Sequence, residues 1–124
     1  MILLDTDIFI DFFRGVDAAV RFLLDPKDDI MFSAITEGEL LSGKVCNDVN
    51  EREYVFHLLS QFEKVPVDNP LIQVAGDIRR TYGLELPDAI IAASAIVTGS
   101  VLITRNTKDF EKVKDLKIQK PYSP

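Results

Sequence analysis

Short apolar runs alternate with amphipathic stretches along the chain. Four apolar runs bounded by polar residues predict strands buried on both faces, at 2–4, 30–34, 65–67 and 101–103. Apolar residues at helical spacing predict helices between them, at 7–13, 16–24, 50–62, 70–82 and 89–97. Strands that alternate with helices favour a parallel sheet. We therefore expect an α/β fold, with a central and mainly parallel sheet flanked by helices, in one domain over residues 1–124.

Several helix ends are also marked in the sequence. Thr36-Glu37-Gly38-Glu39 has the form of a capping box, with Thr36 as the N-cap and Glu39 three residues later. Pro70 suits the first residue of a helix that Gly83 closes. Gly99 ends the helix at 89–97, which is almost wholly apolar and is therefore expected to be central and buried on most sides.

Four acidic residues follow strands or begin helices in this pattern: Asp5, Glu39, Asp88 and Asp109. In a parallel sheet, the carboxyl ends of strands and the amino ends of the following helices lie on one edge, so these side chains can converge. Clustered carboxylates repel one another unless a cation neutralises them. Mg²⁺ or Mn²⁺ is the usual cation for oxygen ligands, so the pattern indicates a divalent metal site.

Each acid taken alone also has a structural explanation. Glu39 can complete the capping box, and Asp88 can complement a helix dipole. Asp109 can be a solvated residue in a short helix whose N-cap is Thr107. Asp5 is harder to explain in this way, because a carboxylate that ends a buried strand needs polar partners. The functional interpretation rests on the four positions together.

Composition narrows the class of protein. The 124 residues are 47% hydrophobic and 27% charged, as in an ordinary globular domain, and the single Cys46 excludes an intrachain disulfide. No apolar stretch is long enough to span a membrane, so we expect a cytoplasmic protein. The net charge of −6 argues against a polyanionic partner, but carboxylates loaded with cations would remove that objection.

Other reactive side chains carry weaker signals. His57 has no Cys, His or acidic partner at metal spacing, and Cys46 has no paired histidine motif. Arg14 and Arg105 lie closest in sequence to the acidic strand ends and are the preferred candidates for phosphate contacts.

Four strings together resemble the PIN-domain nucleases, and among them the VapC-type toxins of prokaryotic toxin–antitoxin pairs. The strings are Leu3 to Asp11, Ser33 to Gly43, Leu86 to Ala92 and Leu102 to Phe110. The resemblance implies a metal-dependent endoribonuclease that hydrolyses RNA phosphodiester bonds and leaves a 5′-phosphate. It also implies that one or two Mg²⁺ or Mn²⁺ ions are held by Asp5, Glu39 and Asp88, with a fourth acid.

The fourth acid is where the chain departs from the family pattern. Many relatives have an acid or an amide at the place of Asn106 and an acid at the place of Asp109, so the charge here must come from Asp109. Asp7 stands where Asn or Ser is more usual and is a further possible metal ligand, through water. Thr6 and Thr104 are candidates to position water or phosphate through their hydroxyl groups.

The resemblance also implies protein partners. Relatives usually form homodimers and are silenced by a small antitoxin that covers the active-site groove. Exposed parts of the first two helices, with Phe12, Phe13 and Phe22, are candidate apolar contacts for such a partner.

Three other functions compete with this interpretation. Asp5-Thr6-Asp7 after an apolar strand also fits the nucleophile and acid of a haloacid-dehalogenase-type phosphatase, although the chain has little room for a cap. A response-regulator receiver domain has similar length and an acidic pocket, but lacks the expected mid-chain Asp and late lysine. A PIN fold that binds nucleic acid without activity is the third alternative.

Overall fold

The fold is built on a five-stranded sheet in which all neighbouring strands are parallel. The structure, a computed structural model, describes residues 1–122, so the last two residues of the predicted domain lie outside the described residues. The strands are β1 (Ile2–Leu4), β2 (Ile30–Ser33), β3 (Glu63–Val65), β4 (Val101–Ile103) and β5 (Ile118–Gln119). Their order across the sheet is β3-β2-β1-β4-β5. The predicted α/β fold with a central parallel sheet is confirmed.

Helices connect and cover the strands on both faces. Within the described residues they are α1 (Thr6–Phe13), α2 (Asp17–Leu24), α3 (Ala34–Leu41), α4 (Val49–Leu59), α5 (Asn69–Tyr82), α6 (Leu86–Thr98) and α7 (Thr107–Phe110). A 3₁₀ turn at Lys44–Asn47 links α3 to α4. None of the helices in residues 1–122 is long and apolar enough to cross a membrane.

The strands alternate their side chains between two separate cores. Leu3 and Leu102 point to the first core, on the face covered by α5 and α6. The next residues along, Leu4 and Ile103, point to the second core, on the face covered by α1, α2 and α4. All four side chains are at most 2% exposed. The outcome is a three-layer α/β/α molecule whose central strands are apolar on both sides, as the continuous apolar runs predicted.

The apolar helix α6 occupies the middle of the first core. Ala89, Ala92, Ala93 and Ala95 are fully buried, and these small side chains let α6 lie close to both the sheet and α5. Gly99 ends the helix in the left-handed conformation, with φ of 67°. The helix begins at Leu86, so Asp88 lies in its first turn as predicted.

The predicted capping box is wrong. Ser33, not Thr36, is the N-cap of α3, and its hydroxyl accepts a hydrogen bond from the Ile35 amide at 3.3 Å. Thr36 lies inside the helix and is fully buried, and Glu39 lies well beyond the first turn. The N-cap of α3 therefore lies three residues earlier than the sequence pattern suggested, and Glu39 is free of any capping function.

Other element boundaries also differ from the prediction. β3 comprises Glu63–Val65 rather than 65–67, because an edge strand with a single neighbour can carry exposed charged side chains such as Lys64. The helix predicted at 50–62 ends at Leu59, where Ser60 is its C-cap. The short strand β5, which pairs with β4, was not predicted.

Candidate active site

The acidic residues lie at the edge of the sheet where the strand order changes direction. From β1 the sheet extends to β2 and β3 on one side and to β4 and β5 on the other, so β1 and β4 flank the switch point. Open α/β sheets bind ligands in the crevice outside the carboxyl ends of such strands. Asp5 directly follows β1, and Thr104 directly follows β4. The Thr104 hydroxyl donates a hydrogen bond of 2.7 Å to Asp5 Oδ2, which joins the two strand ends.

Asp5 is a buried carboxylate whose hydrogen bonds offset only part of the cost of burying its charge. It is 6% exposed and caps α1, and its Oδ1 accepts a hydrogen bond from the Thr6 amide at 2.7 Å. Burial, and next the negative charge of Asp7, raise the pKa of Asp5 to about 7, although the bonds from Thr104 and Thr6 act in the opposite direction. Asp5 is therefore only partly ionised near neutral pH, and a cation beside it would favour the ionised form.

Glu39 reaches this crevice from helix α3. This helix directly follows β2, which is the neighbour of β1 in the sheet. The Thr6 hydroxyl donates to Glu39 Oε1 at 2.7 Å and lies 2.9 Å from the Thr36 hydroxyl. Because the Thr6 proton points to the carboxylate, Thr36 must be the donor in the second bond. Thr36, predicted as a helix cap, instead supports a chain of hydrogen bonds that ends at Glu39.

Asp88 and Asp109 approach from α6 and α7. Burial raises the pKa of Asp88, and the charges of Glu39, Asp109 and Asp7 raise it further, in that order. Asn106 donates from Nδ2 to Asp109 Oδ2 at 2.9 Å and so orients that carboxylate. Asp88 also contributes to the raised pKa of Asp5. The four predicted acids are thus near enough to repel one another, although they span more than 100 residues of sequence.

Asp7 is a fifth acid in this crevice. Its Oδ2 accepts a hydrogen bond from the Arg105 amide at 3.0 Å and lies 3.4 Å from the Thr104 hydroxyl. Its Oδ1 is buried and has no hydrogen-bond partner among the described residues. Burial is the main cause that raises the pKa of Asp7. A buried carboxylate oxygen without a partner is costly, and a cation is one way to satisfy it.

The residues of the crevice fit a hard divalent cation. Each of the acids that converge there offers carboxylate oxygen, the ligand type that Mg²⁺ and Mn²⁺ prefer, and burial is the main cause that raises the pKa values of Asp5, Asp7 and Asp88. No three acidic, histidine or cysteine side chains in residues 1–122 already surround one point as metal ligands. Mg²⁺ is commonly held by one or two carboxylates with water completing its coordination, so such an arrangement is not required.

Asp11 and Tyr122 are polar residues of this region that the sequence analysis did not single out. Asp11 is 7% exposed, its Oδ2 lies 2.9 Å from Nε of Arg105, and it accepts a hydrogen bond from the Tyr122 hydroxyl. Burial and the bond to Asp11 raise the pKa of Tyr122. A signal for Asp11 existed, because it is an acid in an otherwise apolar helix, one turn after Asp7. Nothing in the sequence marked Tyr122.

The remaining predicted residues lie at different distances from the acids. Arg105 is adjacent to them, whereas Arg14 lies at the opposite end of α1, in a groove of about 410 Å³ that Glu39 also lines. The phosphate contacts assigned to both arginines stay predictions. Phe12 is only 8% exposed because it packs into the second core, so its proposed place in an exposed apolar surface is wrong. Phe13 and Phe22 are partly exposed.

Comparison with known proteins identifies relatives over nearly the whole chain. A family model described as PIN domain matches residues 2–116. The chain is 34% identical to Ribonuclease VapC10 of Mycobacterium tuberculosis over 124 residues, which cover 94% of this chain and 91% of that protein. It is 32% identical to Ribonuclease VapC19 of the same organism, over 98% of this chain and all of the relative.

Solved structures give the same result for the fold. A chain of a toxin–antitoxin complex from Klebsiella pneumoniae superposes with a TM-score of 0.85 and 31% identity, and the match covers all of both chains. A chain of VapBC-1 from nontypeable Haemophilus influenzae has a TM-score of 0.80 and 26% identity, with 98% of each chain covered.

Proposed function

The chain belongs to the PIN domain family, and from this membership we propose that it is an endoribonuclease that hydrolyses RNA phosphodiester bonds with a divalent cation. The relatives named as ribonucleases cover nearly the whole chain. The observation that carries the proposal is the meeting of Asp5, Glu39, Asp88 and Asp109 at one edge of the sheet, where burial, and after it the charges of neighbouring acids, raise the pKa values of Asp5 and Asp88. The match to the PIN domain model argues against a receiver domain, and the presence of all four acids favours a nuclease over a binding module.

The proposed cation is Mg²⁺ or Mn²⁺. Asp5, Glu39, Asp88 and Asp109 would hold it, with Asp7 as a further ligand through its unpartnered Oδ1. When bound, such an ion lowers the pKa of a coordinated water and offsets negative charge on the phosphoryl oxygens of the RNA.

The chain's own residues keep these carboxylates in place. Thr104 and the Thr6 amide hold the two oxygens of Asp5, the Thr6 hydroxyl holds Glu39, and Asn106 holds Asp109. Supporting hydrogen bonds of this kind commonly change metal affinity or activity by about 10-fold to 100-fold when they are removed. The three polar neighbours Thr6, Thr104 and Asn106 are therefore positioning residues in this proposal.

A protein partner is part of the same proposal. The solved relative from Klebsiella pneumoniae is described as a toxin–antitoxin complex, and we assign the chain as the toxin of such a pair, with a small antitoxin as its partner and a homodimer as its own assembly. Apolar side chains on α2 are available for contacts, since Leu24 is 70% exposed and Phe22 is partly exposed.

The test is cleavage of RNA by the purified chain, freed of any co-purifying partner. A mixed-sequence RNA, tRNA and rRNA are incubated with Mg²⁺ or Mn²⁺, and with EDTA. The double variant Asp5→Asn, Asp88→Asn is compared with Asp25→Asn, Asp77→Asn, which removes the same charge from two exposed surface ion pairs. We expect metal-dependent cleavage by the wild type and the control pair, and at least about a 100-fold loss in the site variant.

The chemistry of the products gives a second readout. Attack by water on the phosphorus with departure of the 3′ oxygen leaves a 5′-phosphate on the downstream fragment. Products that end in a 2′,3′-cyclic phosphate, or cleavage that persists in EDTA, would contradict the proposal. Cleavage equally retained by Asp5→Asn, Asp88→Asn would remove these acids from the mechanism.

A further inference from the structure

A second cavity lies beside the acidic crevice, and none of the acids lines it. Its volume is about 200 Å³, and its walls are Arg105, Lys120, Pro121 and Tyr122. Two cations, an aromatic ring and a proline ring make a surface with both positive charge and flat apolar area. Unpaired nucleotides are bound by this combination, because bases stack on aromatic rings while cations contact phosphate.

Arg105 connects this cavity to the crevice. Its amide donates to Asp7 Oδ2, and the preceding residue, Thr104, donates to Asp5. Thr104 is also fixed from the other side, since its amide donates to the carbonyl of Gln119 in β5 at 3.1 Å. Lys120 directly follows β5 and Tyr122 is the third residue after it, so the neighbouring ends of β4 and β5 place the cavity next to the carboxylates.

Asp11 holds two walls of the cavity in position. Its Oδ2 contacts Nε of Arg105 and accepts from the Tyr122 hydroxyl. Within residues 1–122, the two terminal nitrogens of Arg105 make no hydrogen bond, so the ion pair to Asp11 leaves them free for a ligand. The buried Asp11 thus orders the walls without occupying their outward-facing groups.

The surrounding segment has the opposite charge to the rest of the chain. Six of the 14 Lys and Arg residues, but three of the 20 Asp and Glu residues, lie between 105 and 120, so this segment is +3 in a chain of −6. Its lysines are exposed at 108, 112, 114, 117 and 120, and none of them forms an ion pair with the described residues. Unpaired lysines next to an acidic catalytic crevice are suited to the phosphate backbone of a nucleic acid.

We propose that the cavity of Arg105, Lys120, Pro121 and Tyr122 is a subsite for one unpaired nucleotide of the RNA, next to the phosphate that is cut. The inference rests on the proposed function and specifies its substrate. The base stacks on the Tyr122 ring, and Arg105 and Lys120 contact the flanking phosphate. Because a base within a duplex is already stacked, the subsite selects single-stranded RNA over double-stranded RNA.

The test measures RNA binding, which separates this subsite from cleavage. A fluorescent single-stranded RNA of mixed sequence is titrated into Asp5→Asn, Asp88→Asn, which carries less negative charge in the crevice. On this background we compare Lys120→Glu, Tyr122→Leu and Tyr122→Phe. The matched control is Lys27→Glu, an exposed lysine before β2 at the opposite edge of the sheet. Thermal unfolding of each variant verifies that it is folded.

We expect Lys120→Glu and Tyr122→Leu each to weaken binding about tenfold, and Lys120→Glu to reduce the salt dependence by about one counterion. Tyr122→Phe keeps the ring for stacking and removes only the bond that holds the ring to Asp11, so it should weaken binding less than Tyr122→Leu does. Lys27→Glu should leave the affinity unchanged within about twofold. Lys120 is exposed, so Lys120→Glu should not disturb folding. It therefore tests the subsite even where Tyr122→Leu fails to fold.

Two contrary results have different meanings. Affinity of Lys120→Glu and Tyr122→Leu equal to the parent, with RNA still bound and cut by the wild type, would overturn the subsite alone. The same is true where these variants keep RNA affinity but no longer associate with a co-expressed protein partner, since the cavity would then be a protein contact. A wild type that neither binds nor cuts RNA would overturn the proposed function and the subsite together.

Discussion

At the scale of single residues, Asp5 shows the conflict between burial and charge in the crevice. It sits at the end of a buried strand, where desolvation disfavours the carboxylate, and its pKa of about 7 lies above the usual 3.8. Asp7 and Asp88 have pKa values raised in the same direction. Groups held in this way weaken the folded protein until a ligand neutralises them.

The first prediction concerns the stability of the metal-free protein. Because the folded-state pKa of Asp5 is above its unfolded value, the folded state binds the proton more tightly, and stability contributed by protonation is lost as the pH rises from about 4 to about 7. In EDTA we expect the free energy of unfolding to fall over this range, by up to about 1.4 kcal/mol per pH unit from this group. Urea denaturation at a series of pH values measures the slope.

The control for this prediction is Asp5→Asn, which has the same shape and cannot titrate. Its free energy of unfolding should fall less steeply between about pH 4 and pH 7, and it should be more stable than the wild type at neutral pH without metal. An unchanged slope in Asp5→Asn would mean that Asp5 is not the group responsible.

The second prediction concerns the Thr104 hydroxyl, which donates to Asp5 Oδ2. Thr104→Val keeps the shape but removes the donor, so the pKa of Asp5 rises further and Mn²⁺ affinity should fall about tenfold. Thr104→Ser restores the hydroxyl and should recover most of the affinity. Isothermal titration with Mn²⁺ provides the measurement, and wild-type affinity in Thr104→Val would exclude a positioning role for Thr104.

For single residues, the sequence correctly predicted the position of an acid in the fold where that position depends only on a strand end or a helix start. Asp5 follows β1 and Asp88 lies in the first turn of α6, as the apolar patterns predicted. Asp11 was not identified, although it stands alone among apolar residues, because its partners Arg105 and Tyr122 lie about 100 residues away. A contact of that separation leaves no local pattern.

At the scale of helices and strands, the predicted bounds were accurate where the residues of the element form a continuous apolar run. β1 and β4 have the predicted bounds, because buried parallel strands are apolar on both faces. β5 has two residues between Lys117 and Lys120 and is held by pairing with β4 rather than by burial, so its sequence carries no strand signal. The α3 cap was misassigned because Ser33 and Thr36 are both good N-cap residues, and the tertiary bond of Thr36 to Thr6 decides between them.

The third prediction concerns helix α6. Ala93 is fully buried in the first core, so Ala93→Leu forces extra volume between α6 and its neighbours and should cost about 1–3 kcal/mol of stability. Val97 lies on the same helix and is 49% exposed, so Val97→Leu should change stability by less than about 0.5 kcal/mol. Urea denaturation compares the two. Equal effects would show that α6 is not packed as closely as its alanines indicate.

At the scale of the whole molecule, the charges are divided between two regions. The segment 105–120 is positive in a chain whose net charge is −6, and the acids lie at the neighbouring crevice. A composition count alone argued against a polyanionic partner, because it averages these two regions. The sequence pattern did not predict that the positive segment lies beside the acids. That placement depends on the pairing of β4 with β1 and of β5 with β4.

The fourth prediction concerns stabilisation of the whole fold by metal. A ligand that binds only the folded state at 100 times its dissociation constant adds about 2.7 kcal/mol. We expect Mn²⁺ at that ratio to raise the melting temperature by several degrees, and EDTA to reverse the change. Asp5→Asn, Asp88→Asn should lose this shift, whereas Asp25→Asn, Asp77→Asn should keep it. A shift of equal size in all three proteins would indicate nonspecific ion effects.

The hydrogen bond from Thr104 to Asp5 joins positions 99 residues apart, and this separation has a consequence during translation. When residues 1–100 have been synthesised, Asp5, Glu39 and Asp88 are present, but β4, Thr104 and Asp109 are not. β1 then lacks one of its two neighbours, and the crevice has only one side. A nascent chain thus carries no complete set of acids until Asp109 has been added.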